Sequence, residues 1–439
     1  TAMNRLRYLP ACIVLAFATP SQAQNLLELY DLARGFDATY QSAKSQYDAN
    51  LFRAEQAKAG LLPSAALSAG ATLSRLETSS PDSGRTSNNQ SVSVNGSQPL
   101  YRPANKATAE QGKRQAELAA QQLTAAAQDL VIRVSQAYFD VLAAQDSLVF
   151  VQAQKTAVAE QLASAKRNFE VGTSTITDSR EAQARFDLVV AQEIAADNDL
   201  RVKRLALDTL VGKTDTQPKP LALPVTLPPV VPADVGVWLM QAEDASPSIR
   251  SARLNLEVAK LETDKAKAGE LPTIDAVGNL GLSRSPSQLV ANSYSRNTSA
   301  SVGVNLNWPL FTGYAVQNRI KETLSLEEKA ISDLEVARRA VAQATRTAFF
   351  GVVSGNGQVK ALEASERSSQ LALDANKLGY QVGVRINIDV LNSQSQLFQT
   401  KRDLAQARYN VLLGNLRLRQ ANGTLVADDL KAINGLLAK

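Results

Sequence analysis

The 439-residue sequence predicts a mainly α-helical protein that also carries transmembrane β-strands, built as two copies of one unit. Three observations predict this. The chain repeats itself at an offset of 209 to 211 positions. Each copy contains two stretches that alternate with period two, and each then passes into a long heptad pattern.

The first element is a leader. Arg5 and Arg7 precede the apolar run "YLPACIVLAFA", and Ser21-Gln22-Ala23 fits a small-x-small cleavage site, so residues 1–23 read as a secretory signal peptide. Thr1 and Ala2 stand ahead of Met3 as added residues. The sole cysteine, Cys12, lies inside the apolar run, where it is neither a lipidation site nor part of a disulfide framework. Loss of Arg5 and Arg7 takes the net charge from +5 to +3, too small an excess to argue for a nucleic-acid partner. There is no histidine, which removes imidazole catalysis and the commonest zinc ligand, and no metal or cofactor is expected.

Residues 24–213 form the first repeat and 246–423 the second. "AKAGLLPSAALSAGATLSR" (57–75) matches "AKAGELPTIDAVGNLGLSR" (266–284), and "VSVNGSQPLY" (92–101) matches "VGVNLNWPLF" (302–311). Residues 214–245 hold the proline-rich connector "KPLALPVTLPPVVPADVG", and 424–439 form a C-terminal segment.

Each repeat opens as helix, over 25–60 in the first, and then alternates. Val302, Val304, Leu306 and Trp308 face one way, and Ser301, Gly303, Asn305 and Asn307 the other. The pattern predicts two strands of about ten residues per repeat, apolar on one face and small-polar on the other, as in a membrane barrel. The polar stretches "SSPDSGRTSNN" and "SPSQLVANSYSRN" read as the loops between them.

Beyond Pro99 and Pro309 the helical period takes over. Heptad positions Ala127, Val134, Val141, Leu148, Lys155, Leu162 and Phe169 form a seam broken only by Lys155. Long helices over 104–168 and 313–378 are each followed by a turn and a shorter helix, 178–212 or 388–422. The two turns repeat: "FEVGTSTITDSREAQAR" (169–185) and "YQVGVRINIDVLNSQSQ" (380–396) each break at a glycine, Gly172 or Gly383, with an acid six residues later. Four strands cannot close a barrel, and open edges are not tolerated in lipid, so the strands demand several copies of the chain.

With these repeats, strands and turns, and the tail "ARYNVLLGNLRLRQANGTLVADDL", the sequence resembles the TolC family of outer-membrane efflux and type I secretion channels. The resemblance implies a homotrimer whose twelve-stranded β-barrel in the outer membrane continues as a long periplasmic α-helical barrel. It also implies a passive conduit that works with a periplasmic adaptor and an inner-membrane ABC or proton-driven transporter. The glycine turns become hairpin tips that close the pore. Tyr380 and Arg385 take the place of inner-coil gate residues, and Thr177 and Asp178 that of their acceptors. An Arg385–Asp178 ion pair and a Tyr380 hydroxyl donating to Asp178 are the expected contacts. At the pore constriction Asp389 keeps the first of two acids, while Asn392 replaces the second, so a trimer gathers three carboxylates there rather than six.

Two other classes compete. An enzyme would need carboxylates or a Ser–Lys pair, yet the acids are scattered along helix faces. A soluble periplasmic coiled-coil adaptor or structural protein explains the heptads and the leader, but not the paired amphipathic strands.

Overall fold

The computed structural model describes residues 24–76, 85–222, 224–286 and 293–438. The expected signal peptide, with Cys12, lies outside them. The first copy of the unit runs α1 (Leu26–Phe36), α2 (Ala38–Ala59), β1 (Ser64–Leu76), β2 (Arg85–Tyr101), α3 (Pro103–Glu170) and α4 (Ile176–Val211). The second runs α5 (Val235–Ala245), α6 (Pro247–Lys267), β3 (Thr273–Pro286), β4 (Tyr294–Asn307), α7 (Ala315–Gln381) and α8 (Asn387–Ala421), and α9 (Asp429–Asn434) closes the chain. The counterpart of α1 is therefore α5, which falls within the segment read as connector.

α3 and α7, of 68 and 67 residues, are each about 100 Å long at 1.5 Å per residue. Neither has the composition of a membrane helix, and no described helix is long and apolar enough to cross one. They run paired: α3 packs on α4, α7 on α8, and α3 against α8 between the two hairpins. The α8 seam of Val390, Leu397, Leu404, Val411 and Leu418 is buried along its full length. Lys155, the break in the α3 seam, donates to Glu193 Oε2 on α4 at 2.6 Å, so the interruption is an inter-helix ion pair.

The opening helix divides in two. Asp37 caps α2 by accepting from Tyr40 N–H at 2.8 Å, and Arg133 of α3 clamps the same carboxylate at 2.8 and 2.9 Å. The main core forms here: Leu26 and Leu29 of α1, Tyr138 and Phe139 of α3, Leu412 of α8 and Leu430 of α9 are buried together. The connector is tied in by Tyr138, whose hydroxyl donates to the Lys219 carbonyl at 2.8 Å. Bridges Gln24–Pro218 and Leu221–Leu437 bring the connector against both ends of the described chain.

The strands make one antiparallel sheet in the order β1-β2-β3-β4. Its register aligns Leu67 with Val94 and Val94 with Leu280 on one face, and Ser68 with Ser93 and Ser93 with Gly281 on the other. Asn279 bridges to Asn95 at 2.5 Å on the polar face. Among the described residues no element packs across either face beyond the Arg102–Asp275 junction, and Val302 is 93% exposed. The strands, at 13 to 17 residues, are longer than the expected ten. Arg85–Asn89 and Tyr294–Asn297, expected in loops, continue the ladder, because backbone pairing carries on past the apolar band whatever the side chains. A bidentate pair between Arg102, just before α3, and Asp275 of β3 at 2.7 and 2.6 Å fixes the sheet to the helices.

Candidate functional site: the paired hairpin tips

Far along the helices from the sheet, both hairpins turn by the same device. After α3, Thr173 N–H donates to the Asn168 carbonyl at 2.8 Å and Gly172 adopts φ +78°. After α7, Val384 N–H donates to the Gly379 carbonyl at 2.9 Å and Gly383 adopts φ +78°. This six-residue closure with a left-handed residue satisfies the last helical carbonyls, and glycine takes that conformation without a Cβ penalty.

The helices that follow start differently. Thr175 caps α4 in a reciprocal box: its hydroxyl accepts from Asp178 N–H at 3.3 Å, and Asp178 Oδ2 accepts from Thr175 N–H at 3.2 Å. Ser174 donates to the same oxygen at 2.6 Å. Thr177 contributes a hydroxyl contact with Thr175 at 2.5 Å. The Ser174 hydrogen bond, with those from Thr175, holds the Asp178 carboxyl below the usual carboxylate range against the opposing effect of burial. At α8 the cap position is Ile386, which has no side-chain acceptor, and Asp389 turns to Arg385 one turn away at 3.7 Å.

The expected contacts to Asp178 are thus corrected within the chain. Arg385 pairs with Asp389, and the Tyr380 hydroxyl accepts from Asn168 Nδ2 at 3.2 Å. The physical reason is that Asp178 is already engaged by its own capping box, whereas Asn168 of α3 lies directly against Tyr380.

Between the tips the main link is Asn387, a residue the sequence reading passed over. It is fully buried, accepts from Gln161 Nε2 at 2.5 Å and donates to the Asp178 carbonyl at 3.2 Å. Asn392 accepts from Arg185 Nη2 of α4 at 2.9 Å. Asn168–Tyr380, Gln161–Asn387–Asp178 and Arg185–Asn392 therefore join hairpin α3–α4 to hairpin α7–α8. One sequence signal was available: where the first tip has Ile176, the second has Asn387, a polar residue in an apolar place.

Residues 29–213 and 238–424 match the family described as Outer membrane efflux protein, one match per repeat. The chain belongs to that family. It is 33% identical to Outer membrane protein TolC of Vibrio cholerae over 437 residues, covering 98% of each chain. Proteases secretion protein PrtF of Dickeya chrysanthemi is 28% identical over 440 residues, covering 98% of this chain and 94% of its own. Among solved structures, the Campylobacter jejuni CmeC outer membrane channel superposes with a TM-score of 0.79 at 16% identity, covering 94% of this chain and 89% of that one. The fold is that of the TolC-like trimeric channels, and the protein is an outer-membrane export channel whose helices extend into the periplasm. The alternative of a soluble adaptor is not favoured.

Proposed function

We propose that the protein is a passive homotrimeric conduit, gated at the hairpin tips, for proteins or small toxic compounds delivered by an inner-membrane ABC or proton-driven transporter through a periplasmic adaptor. The carrying observation is the contrast between the two ends of the chain. Among the described residues the sheet end has open edges and largely uncovered faces, while the tip end is pinned by Asn168–Tyr380 and Gln161–Asn387–Asp178. Three copies supply the twelve strands of a closed barrel, within the range of such pores. The relative named for secretion of proteases supports protein cargo for this chain as well.

In this reading Tyr380, Arg385, Thr177 and Asp178 form the periplasmic gate, and Asp389 with Asn392 lines the constriction. Intrachain links hold each pair of hairpins together, and Arg385, whose side chain is 58% exposed, remains available to a neighbouring copy. Trp308, which donates to the Glu270 carbonyl at 3.2 Å beside the sheet–helix junction, marks the periplasmic rim of the barrel.

Planar-bilayer recording tests the gate. Tyr380→Phe combined with Arg385→Ser should raise single-channel conductance while the heat-resistant trimer band stays unchanged. Conductance equal to the parent protein would remove these residues from the gate. Val304→Arg should impair barrel assembly far more than Asn305→Arg, and equal tolerance would undo the assignment of the lipid face.

A further inference from the structure

Beside Asn392, helices α3, α4 and α8 line a cavity of about 410 Å³ whose walls carry no Asp or Glu. Two arginines line it, Arg185 from α4 and Arg402 from α8. Among the described residues neither makes an ion pair with a carboxylate; Asp403, the next residue along α8, acts on Arg402 only through space, and neutral amide oxygens take the hydrogen bonds of both. Arg185 Nη2 donates to Asn392 Oδ1 at 2.9 Å. Arg402 donates to Gln154 Oε1 at 3.3 Å and to Gln399 Oε1 at 2.7 Å. Gln154 is itself buried, so its carbonyl fixes the Arg402 fork rather than following it.

Amide oxygens orient a guanidinium without neutralising it, so two positive charges remain in one cavity. The buried side chains Val158 and Leu391 form part of its lining and lower the local polarity, which strengthens any charge contact made there. Burial pushes the Arg402 guanidinium down from its ordinary value, yet a guanidinium stays protonated in any protein setting. Each arginine keeps N–H donors beyond those already engaged, and its planar fork matches the oxygens of a phosphate or carboxylate. Gln192 and Ser395 add neutral polar groups to the wall.

We propose that this cavity is a binding site for a multivalent oxyanion of pyrophosphate size, clamped between Arg185 and Arg402. Asn392 is the residue that makes the site possible. A carboxylate at that position would sit 2.9 Å from Arg185, supply the anion from the chain itself and close the site to a ligand. The amide positions the same guanidinium and leaves its charge available.

The test is titration calorimetry on the detergent-solubilised full chain with inorganic pyrophosphate at low ionic strength. It reads binding directly and does not depend on whether the protein gates at its tips. One saturable site per chain is expected, with affinity falling steeply as salt rises. Arg185→Gln, Arg402→Gln and Asn392→Asp should each weaken it about tenfold or more, the last by self-occupation. Lys44→Gln, an exposed cation of α2 outside the cavity, should leave it unchanged. Asn392→Asp adds no bulk, so it keeps the test valid if an arginine variant fails to assemble. No saturable heat from assembled protein, or equal affinity in parent and Asn392→Asp, overturns the site.

Discussion

The two hairpin tips share a backbone and differ in what their acids do. Both turn through a glycine at φ +78° and both carry an aspartate three residues after the helix cap. In the first tip Thr175 at the cap draws Asp178 into a local box, and the acid is spent on starting α4. In the second, Ile386 offers nothing, so Asp389 faces the exposed Arg385. Duplicated sequence has thus produced one tip whose acid is held by its own cap and one tip whose acid pairs with an exposed arginine. A single cap residue decides which.

The largest effect should come from the link between the tips. Asn387→Leu strands the half-buried Gln161 amide and the Asp178 carbonyl, a cost of about 1–2 kcal/mol for partly buried groups left without a partner. Hydrogen exchange should accelerate at the starts of both α4 and α8. Acceleration at α8 alone would show that the tips are not coupled through this residue.

Exchanging the caps comes next. Thr175→Val should cost the first tip about 1 kcal/mol of helix stability, and Ile386→Thr should stabilise the start of α8 by a similar amount. Ile386→Thr should also draw Asp389 away from Arg385. Amide protection at residues 175–178 and 386–389 reads both outcomes, and the comparison breaks if Ile386→Thr changes nothing.

The boxed acid also has a pH signature. Because the folded carboxyl of Asp178 lies below its ordinary value, its stabilising contribution is complete above that value and is lost as pH falls through the lowered one. The cap of α4 should therefore persist to pH values below the usual carboxylate range, and Asp178→Asn should remove that acid transition. An amide titration of Thr175 by NMR checks this. A transition that survives Asp178→Asn belongs to another group.

Substitution of the turn glycines should not distinguish the tips. Gly172→Ala and Gly383→Ala each meet no neighbour within 4 Å, so each pays only the left-handed backbone cost, about 1 kcal/mol. Unequal losses would mean that one turn is strained by its surroundings. The smallest change is expected from Arg385→Ser in the isolated chain, where a half-exposed pair at 3.7 Å contributes under about 1 kcal/mol. A larger loss seen only in assembled protein would locate its partner in a neighbouring copy.

Much of this was legible in the sequence because repetition and periodicity are sequence properties. The heptads of α3 and α8, the alternation of β4 and the glycine turns all follow from spacing. Strand ends were not legible: Arg85–Asn89 reads as loop by composition, but the ladder continues through it on backbone hydrogen bonds alone. Lys155 reads as a defect in the seam until its partner Glu193, on another helix, is known. At the site, the Thr-x-x-Asp spacing of Thr175 and Asp178 was present all along as a capping signature. The family's gate pairing hid it by assigning Asp178 a distant partner. Asn387 belongs to no motif, and only its contrast with Ile176 in the other repeat singles it out.

The sheet's two bare edges bear on how such a molecule can be made at all. β1 and β4 each present a row of backbone donors and acceptors with no strand partner among the described residues. In hydrocarbon every such group costs several kcal/mol, so a lone copy has no stable inserted state. In water the same edges are templates for stray pairing. Entry into the bilayer and closure of the ring must therefore be one event, limited by the encounter of copies. The helical body, with a core of its own, can fold beforehand and serve as the handle that brings three unfinished sheets into register.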